Sequence, residues 1–215
     1  AEEFARHAEG CGADALMAIP PVTTALDETE LLAYFVRILR AGKLPLIVQD
    51  ASGYVGRPMS ISLYSRLLAE YGDRVYFKPE ATPIGPRLTA LRDATAGKAR
   101  VFEGTGGMAL VDSFRRGVVG TIPGADLIQG IVALWQALGA GDDAFAYRLS
   151  LPISALVSLQ TSLDAFLAVE KYLLVKQGIF SNALIRGPVG YALDDETRQE
   201  VDRLYALVMK AVESP

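Results

Sequence analysis

The chain has 215 residues, 51% apolar and 21% charged, with a formal net charge of −4. This is the composition of an ordinary globular protein, long enough for one large domain or two small ones, and its few scattered cations exclude nucleic acid as a partner. One cysteine, Cys11, excludes an internal disulfide and a cysteine-based metal site, and one histidine, His7, leaves no material for a Ser-His-Asp triad or a histidine-rich zinc site.

No apolar run reaches about 18 residues, so no membrane span is expected. No signal peptide is visible, and sparse cysteine suits a reducing cytoplasm. Glu2 to Glu9 reads as a helix with His7 on its solvated face, stopped by Gly10 and Gly12. The chain opens on Ala1 inside this helix, so a fragment of a longer protein is expected. Ala13 to Ile19 is a short apolar run closed by Pro20-Pro21, a buried strand. Asp27 caps the next helix, with Glu30 completing a capping box. That helix places Leu31, Leu32, Tyr34, Phe35, Ile38 and Leu39 on one face. Leu44 to Val48 is a second strand, followed by a polar loop from Gln49. Ser60 begins a helix that ends at Gly72.

The next strand, Arg74-Val75-Tyr76-Phe77, delivers Lys78 at its carboxyl end, just before Pro79 and Glu80. Val, Tyr and Phe favour strands, and Pro79 stops a central ladder. A lysine stripped of water there becomes an amine nucleophile of the kind that forms Schiff bases with carbonyl compounds. The more common case for a strand-end lysine is one that snorkels to solvent or pairs with Glu80.

Pro83 to Ala96 continues as helix, Lys98 to Glu103 as a fourth strand, Met108 to Arg115 as a short helix and Gly117 to Ile122 as a fifth strand. Beyond Gly124 the strands stop. Asp126 to Leu138, Asp142 to Leu149, Ile153 to Lys176 and Asp194 to Val212 read as helical, with Gly139 to Asp143 as a junction. The expected domains are 1–139, built of β/α units, and 140–215, a helical extension. Apolar strands alternating with amphipathic helices indicate a parallel sheet covered by helices, either doubly wound or a β/α barrel. The Gly104-Thr105-Gly106-Gly107 turn lacks the spacing of a dinucleotide-binding loop.

Taken together, these segments carry a resemblance. Gly12-Ala13-Asp14-Ala15 through Pro20-Pro21, Leu44-Pro45-Leu46-Ile47-Val48, Phe77-Lys78-Pro79-Glu80, Val101-Phe102-Glu103-Gly104 and Arg116-Gly117-Val118-Val119-Gly120 resemble the dihydrodipicolinate synthase / N-acetylneuraminate lyase family. The resemblance implies a TIM (β/α)8 barrel with a C-terminal helical extension, usually tetrameric. It implies a class I aldolase in which a barrel lysine forms a Schiff base with pyruvate or another 2-oxo acid, with no metal or organic cofactor. Lys78 would be that lysine, and Gly104 and Ile122 would line the 2-oxo acid pocket. The family barrel has eight strands and five are legible here. The first three, with the family's carboxylate-binding loop, would be missing, leaving a partial barrel prone to association and poor in activity.

The family usually carries a tyrosine on the strand before the lysine, for proton transfer. Gln49 stands at that position, followed by Asp50 where an asparagine is common. A second tyrosine after the first-strand proline is replaced by Pro21-Val22. A glutamine amide hydrogen bonds but does not shuttle protons. Asp50 is therefore the candidate proton carrier, and Tyr54 a loop alternative. Arg57 is the candidate for holding a substrate carboxylate, and Glu80 for positioning. The expected function is a 2-oxo acid aldolase or lyase, homo-oligomeric (tetramer or dimer) in its full-length parent. The rival is a small-molecule-binding or regulatory homologue that kept the barrel without the chemistry.

Overall fold

The computed structural model describes residues 1–21, 23–52 and 58–214. The chain divides into two compact units, Ala1–Gly104 with Arg115–Gly120, and Thr105–Phe114 with Thr121–Pro215.

In the first unit, helix α1 (Glu2–Gly10) leads to strand β1 (Leu16–Ala18), helix α2 (Glu28–Ala41), strand β2 (Leu46–Asp50), helix α3 (Ile61–Tyr71), strand β3 (Val75–Pro79) and helix α4 (Ile84–Ala94). The Asp27 capping box forms: Glu30 N–H donates to Asp27 Oδ1 at 2.8 Å and Asp27 N–H to Glu30 Oε2 at 3.1 Å. Ser60 caps α3 by accepting from Leu63 N–H at 3.1 Å. β1, β2 and β3 pair in parallel in chain order, with Gln49 in register with Lys78 and Asp50 with Pro79. Val101 bridges in parallel to Phe77, and strand β4 (Phe102–Glu103) pairs with strand β5 (Gly120–Thr121). A doubly wound sheet reverses its strand order; this run from β1 to β5 does not, which is the order of a β/α barrel arc.

Side chains alternate across a strand, and registered partners share a side. Leu46, Val48, Val75 and Phe77 are fully buried on one side, and there the Tyr64 ring of α3 meets Phe77 edge-on at 5.0 Å. The side bearing Gln49 and Lys78 is less covered lower down, where Ile47 and Tyr76 are half-buried. The strands are shorter than the apolar runs suggest. The expected Lys98–Glu103 strand contracts to Phe102–Glu103, and Gly117–Ile122 to Gly120–Thr121.

The second unit is helical: α5 (Leu110–Arg115, whose last residue belongs to the first unit), α6 (Ile128–Ala140), α7 (Asp143–Ser158), α8 (Leu163–Lys176) and α9 (Asp195–Glu213). Its core gathers Leu134, Leu149, Ile153, Leu156, Leu173 and Val201. Two expected boundaries are corrected. The break between Leu149 and Ile153 does not occur: α7 runs through Pro152, because Leu149, Ile153 and Leu156 all bury on one face and that burial outweighs the bond the proline cannot donate. The expected continuous helix from Ile153 to Lys176 is instead interrupted at 159–162, where Ser162 caps α8 by accepting from Ala165 N–H at 3.1 Å. The junction expected at Gly139–Asp143 is a tight turn within this unit, with Gly141 left-handed (φ 73°) and Asp142 capping α7.

Candidate active site

β3 ends in Lys78-Pro79 because Val75, Tyr76 and Phe77 fit a pleated, half-covered surface, while Pro79 has no N–H to extend the ladder. Lys78 is only 6% exposed. Its Nζ is ion-paired with, and hydrogen bonded to, Glu80 Oε1. From the registered position on β2, Gln49 Nε2 donates to both Glu80 oxygens, at 3.2 Å each. The Glu80 carboxylate thus lies between an ammonium and an amide. A lone buried ammonium costs several kcal/mol, about what its partner must offset. Gly104 closes the cluster. A Cβ there would overlap Glu80 Oε1 and lie 2.9 Å from Lys78 Cε, so any side chain would have to push Glu80 and Lys78 aside.

Asp50, 1% exposed, points to the opposite side of the sheet. Its Oδ1 accepts from Ser52 N–H at 3.1 Å, and its Oδ2 from Met59 N–H at 2.9 Å and Tyr64 O–H at 3.1 Å. Arg87 Nη2 of α4 lies 3.8 Å from Oδ2. Burial first, and Asp50 next, hold the Tyr64 phenol protonated well above its ordinary range.

The structure therefore brings together Lys78, Gln49, Glu80 and Gly104, and turns Asp50 away from them. The adjacent-residue reading that made Asp50 a proton carrier meets the period of two: Gln49 and Asp50 cannot both face Lys78. Ile122 is half-buried just past β5, in the second unit. Arg57 and Tyr54 lie outside the described residues, as does Val22. Sequence reasoning missed Tyr64 and Arg87 as partners of Asp50. It also passed over Glu103, 3% exposed at the end of β4; the signal was a charged residue closing an apolar run, as at Lys78. Among the described residues no group of three or more His, Cys, Asp or Glu side chains could hold a metal, and no helix is long and apolar enough to cross a membrane.

A buried lysine at a parallel strand end, facing a carboxylate, belongs to the class of β/α proteins that carry chemistry at the carboxyl ends of their strands. The chain belongs to the dihydrodipicolinate synthetase family, whose model matches residues 1–207. Among curated relatives, L-2-keto-3-deoxyarabonate dehydratase of Azospirillum brasilense is 27% identical over 205 residues, covering 91% of this chain and 63% of that protein. The 4-hydroxy-tetrahydrodipicolinate synthase of Rhizobium meliloti (strain 1021) is 29% identical, covering 93% and 67%. The crystal structure of dihydrodipicolinate synthase from Rhodopseudomonas palustris superposes with a TM-score of 0.82 at 26% identity, covering 96% of this chain and 70% of that one. Sialic acid aldolase of Ruminococcus gnavus shares the fold, with a TM-score of 0.82 at 22% identity. The chain spans roughly two thirds of the length of these relatives, 63% of the first.

Proposed function

We propose that Lys78 condenses with the keto carbon of a 2-oxo acid, and that the chain is the larger part of a Schiff-base lyase or aldolase. The observation that carries this is the buried Lys78 amine in contact with Glu80 at the end of β3. Glu80 takes a proton from the ammonium, and the free amine adds to the carbonyl. The resulting carbinolamine loses its oxygen as water, with protons supplied by Glu80. The cationic imine then acts as an electron sink. Loss of a proton from the neighbouring carbon gives an enamine, whose electron pair either forms a carbon–carbon bond or expels a hydroxyl one carbon further on. Glu80 stands where proton traffic must pass, in place of the tyrosine hydroxyl that Gln49 cannot supply, and Gln49 fixes the carboxylate by its two hydrogen bonds. The dehydratase relative from Azospirillum brasilense supports the elimination branch, and the synthase relatives the addition branch.

The five strands among the described residues cannot close a barrel. The reading is therefore of a TIM barrel without its first three strands, whose substrate-carboxylate site and homo-oligomeric assembly belong to the longer parent. Gly104, beside Lys78, and Arg57 are its proposed substrate-binding residues in this chain. No cofactor enters the mechanism. A reducing cytoplasm suits the exposed free thiol of Cys11.

Sodium borohydride added with pyruvate should reduce the imine and add a fixed mass to the peptide holding Lys78, in the 215-residue chain or in a protein restored with the family's first strands. Lys78→Arg should abolish it. No adduct with any 2-oxo acid in the restored protein ends this reading. A binding homologue is the second reading, favoured by the engagement of Lys78 by Glu80; it predicts thermal stabilisation by a 2-oxo acid that survives Lys78→Arg.

A further inference from the structure

The Asp50 carboxylate is buried on the side of the sheet away from Lys78, yet it ties together the elements that position Lys78's neighbours. Ser52, just after β2, and Met59, just before α3, both donate their backbone N–H groups to it. Tyr64 O–H joins it from α3. Arg87 of α4 reaches it at 3.8 Å and donates to Met59 O at 2.5 Å. The backbone of the same residue continues into the site: Asp50 C=O accepts from Glu80 N–H at 3.2 Å, and Gln49, one residue earlier, holds the Glu80 side chain.

We infer that Asp50 is a positioning residue, a clasp whose side chain locks the end of β2 against α3 and α4 so that its backbone and Gln49 hold Glu80 against the Lys78 amine. The physical reason lies in the period of two. A residue that faces the helices cannot touch the reacting atoms, but it fixes the carbonyl and the preceding side chain that do the holding. Backbone donors make the clasp stiff, because Ser52 N–H and Met59 N–H cannot rotate away as side-chain donors can. Asparagine at this position would keep one acceptor oxygen and present an amide donor to Ser52 N–H or to Met59 N–H, so one of the two flanks would be released.

The inference rests on reading Lys78 as the working amine, and the test separates the two. Lys78 is labelled with acetic anhydride in the 215-residue chain, and the labelled fraction of its peptide is compared with that of exposed Lys210. Asp50→Asn and the milder Tyr64→Phe should each raise Lys78 labelling relative to Lys210, by about tenfold for Asp50→Asn, because loosening the clasp opens the cluster locally. Arg74→Met is the control for lost stability without lost positioning: Arg74 Nη2 donates to the carbonyls of Leu39, Gly42 and Leu44, at the far end of β3. It should lower the melting temperature and leave Lys78 labelling unchanged. Unchanged labelling in both clasp variants, or an equal rise in Arg74→Met, overturns the inference. Labelling needs no substrate, so absence of an imine adduct would sink the proposed chemistry and leave this comparison intact. In a trapping-competent protein, Asp50→Asn should slow adduct formation with the shape of its pH profile unchanged; loss of one limb would make Asp50 the proton carrier and overturn the positioning role.

Discussion

Two buried carboxylates stand on opposite sides of the same sheet end, and they keep different company. Asp50 receives two backbone N–H groups and a phenol, with a guanidinium at 3.8 Å. Glu80 receives an ammonium and an amide, both on side chains. Backbone donors are fixed by the fold, whereas side-chain donors can rotate, exchange protons or leave. The first arrangement makes a fastening and the second a site. A buried ion pair by itself signals neither stability nor chemistry; the origin of its donors decides.

The largest effect that would break this contrast is expected at Glu80. Glu80→Ala strands a buried ammonium and should cost about 3–5 kcal/mol in urea unfolding. Glu80→Gln keeps the shape, and imine trapping should fall by about a hundredfold or more if the carboxylate carries protons. Trapping at the wild-type rate in Glu80→Gln would move the chemistry elsewhere.

A third carboxylate sharpens the contrast. Asp126, in the second unit, is buried near Glu170 and accepts from Gln160 Nε2 at 3.3 Å. Tyr205 of α9 also senses its charge. Burial first, and Glu170 next, push its carboxyl up to about 6 from an ordinary 3.8. The folded chain thus keeps a proton that the unfolded chain releases. The associated stability is fully present below about 3.8 and is lost as pH rises through about 6, by up to about 3 kcal/mol. Asp126→Asn should flatten that slope in urea titrations between these pH values; a slope of wild-type size in the variant would refute the assignment.

Gly104→Ala should cost about 1–3 kcal/mol, because its methyl must displace Lys78 and Glu80; thermal unfolding measures it. Tyr64→Phe should cost about 1 kcal/mol, since Asp50 keeps its backbone donors. The smallest effect is at the surface. Arg37 and Glu2 pair at 2.7 Å with side chains 74% and 36% exposed, and Glu2→Gln should change stability by less than about 0.5 kcal/mol.

The alternation of strand and helix, the cap at Asp27, the helix starts at Ser60, Asp142 and Asp194, and the placement of Lys78 at a strand end were all legible in the chain, because each depends on residues within a few positions of one another. Pro152 misled for the complementary reason. Its local cost is real, but the burial of Leu149, Ile153 and Leu156 comes from helices distant in sequence. Asp50 misled because adjacency to Gln49 looks like proximity until the pleat separates the two.

What the sequence by itself determined is the set of elements, their order and the lysine that closes the third strand, since periodicity, turn chemistry and apolar runs are local properties. Only the tertiary structure decided which side each polar group faces: Glu80 toward the amine, Asp50 toward Tyr64 and Arg87. The register that pairs Gln49 with Lys78 joins residues some thirty positions apart, and no short-range pattern can specify which side of a sheet will be covered.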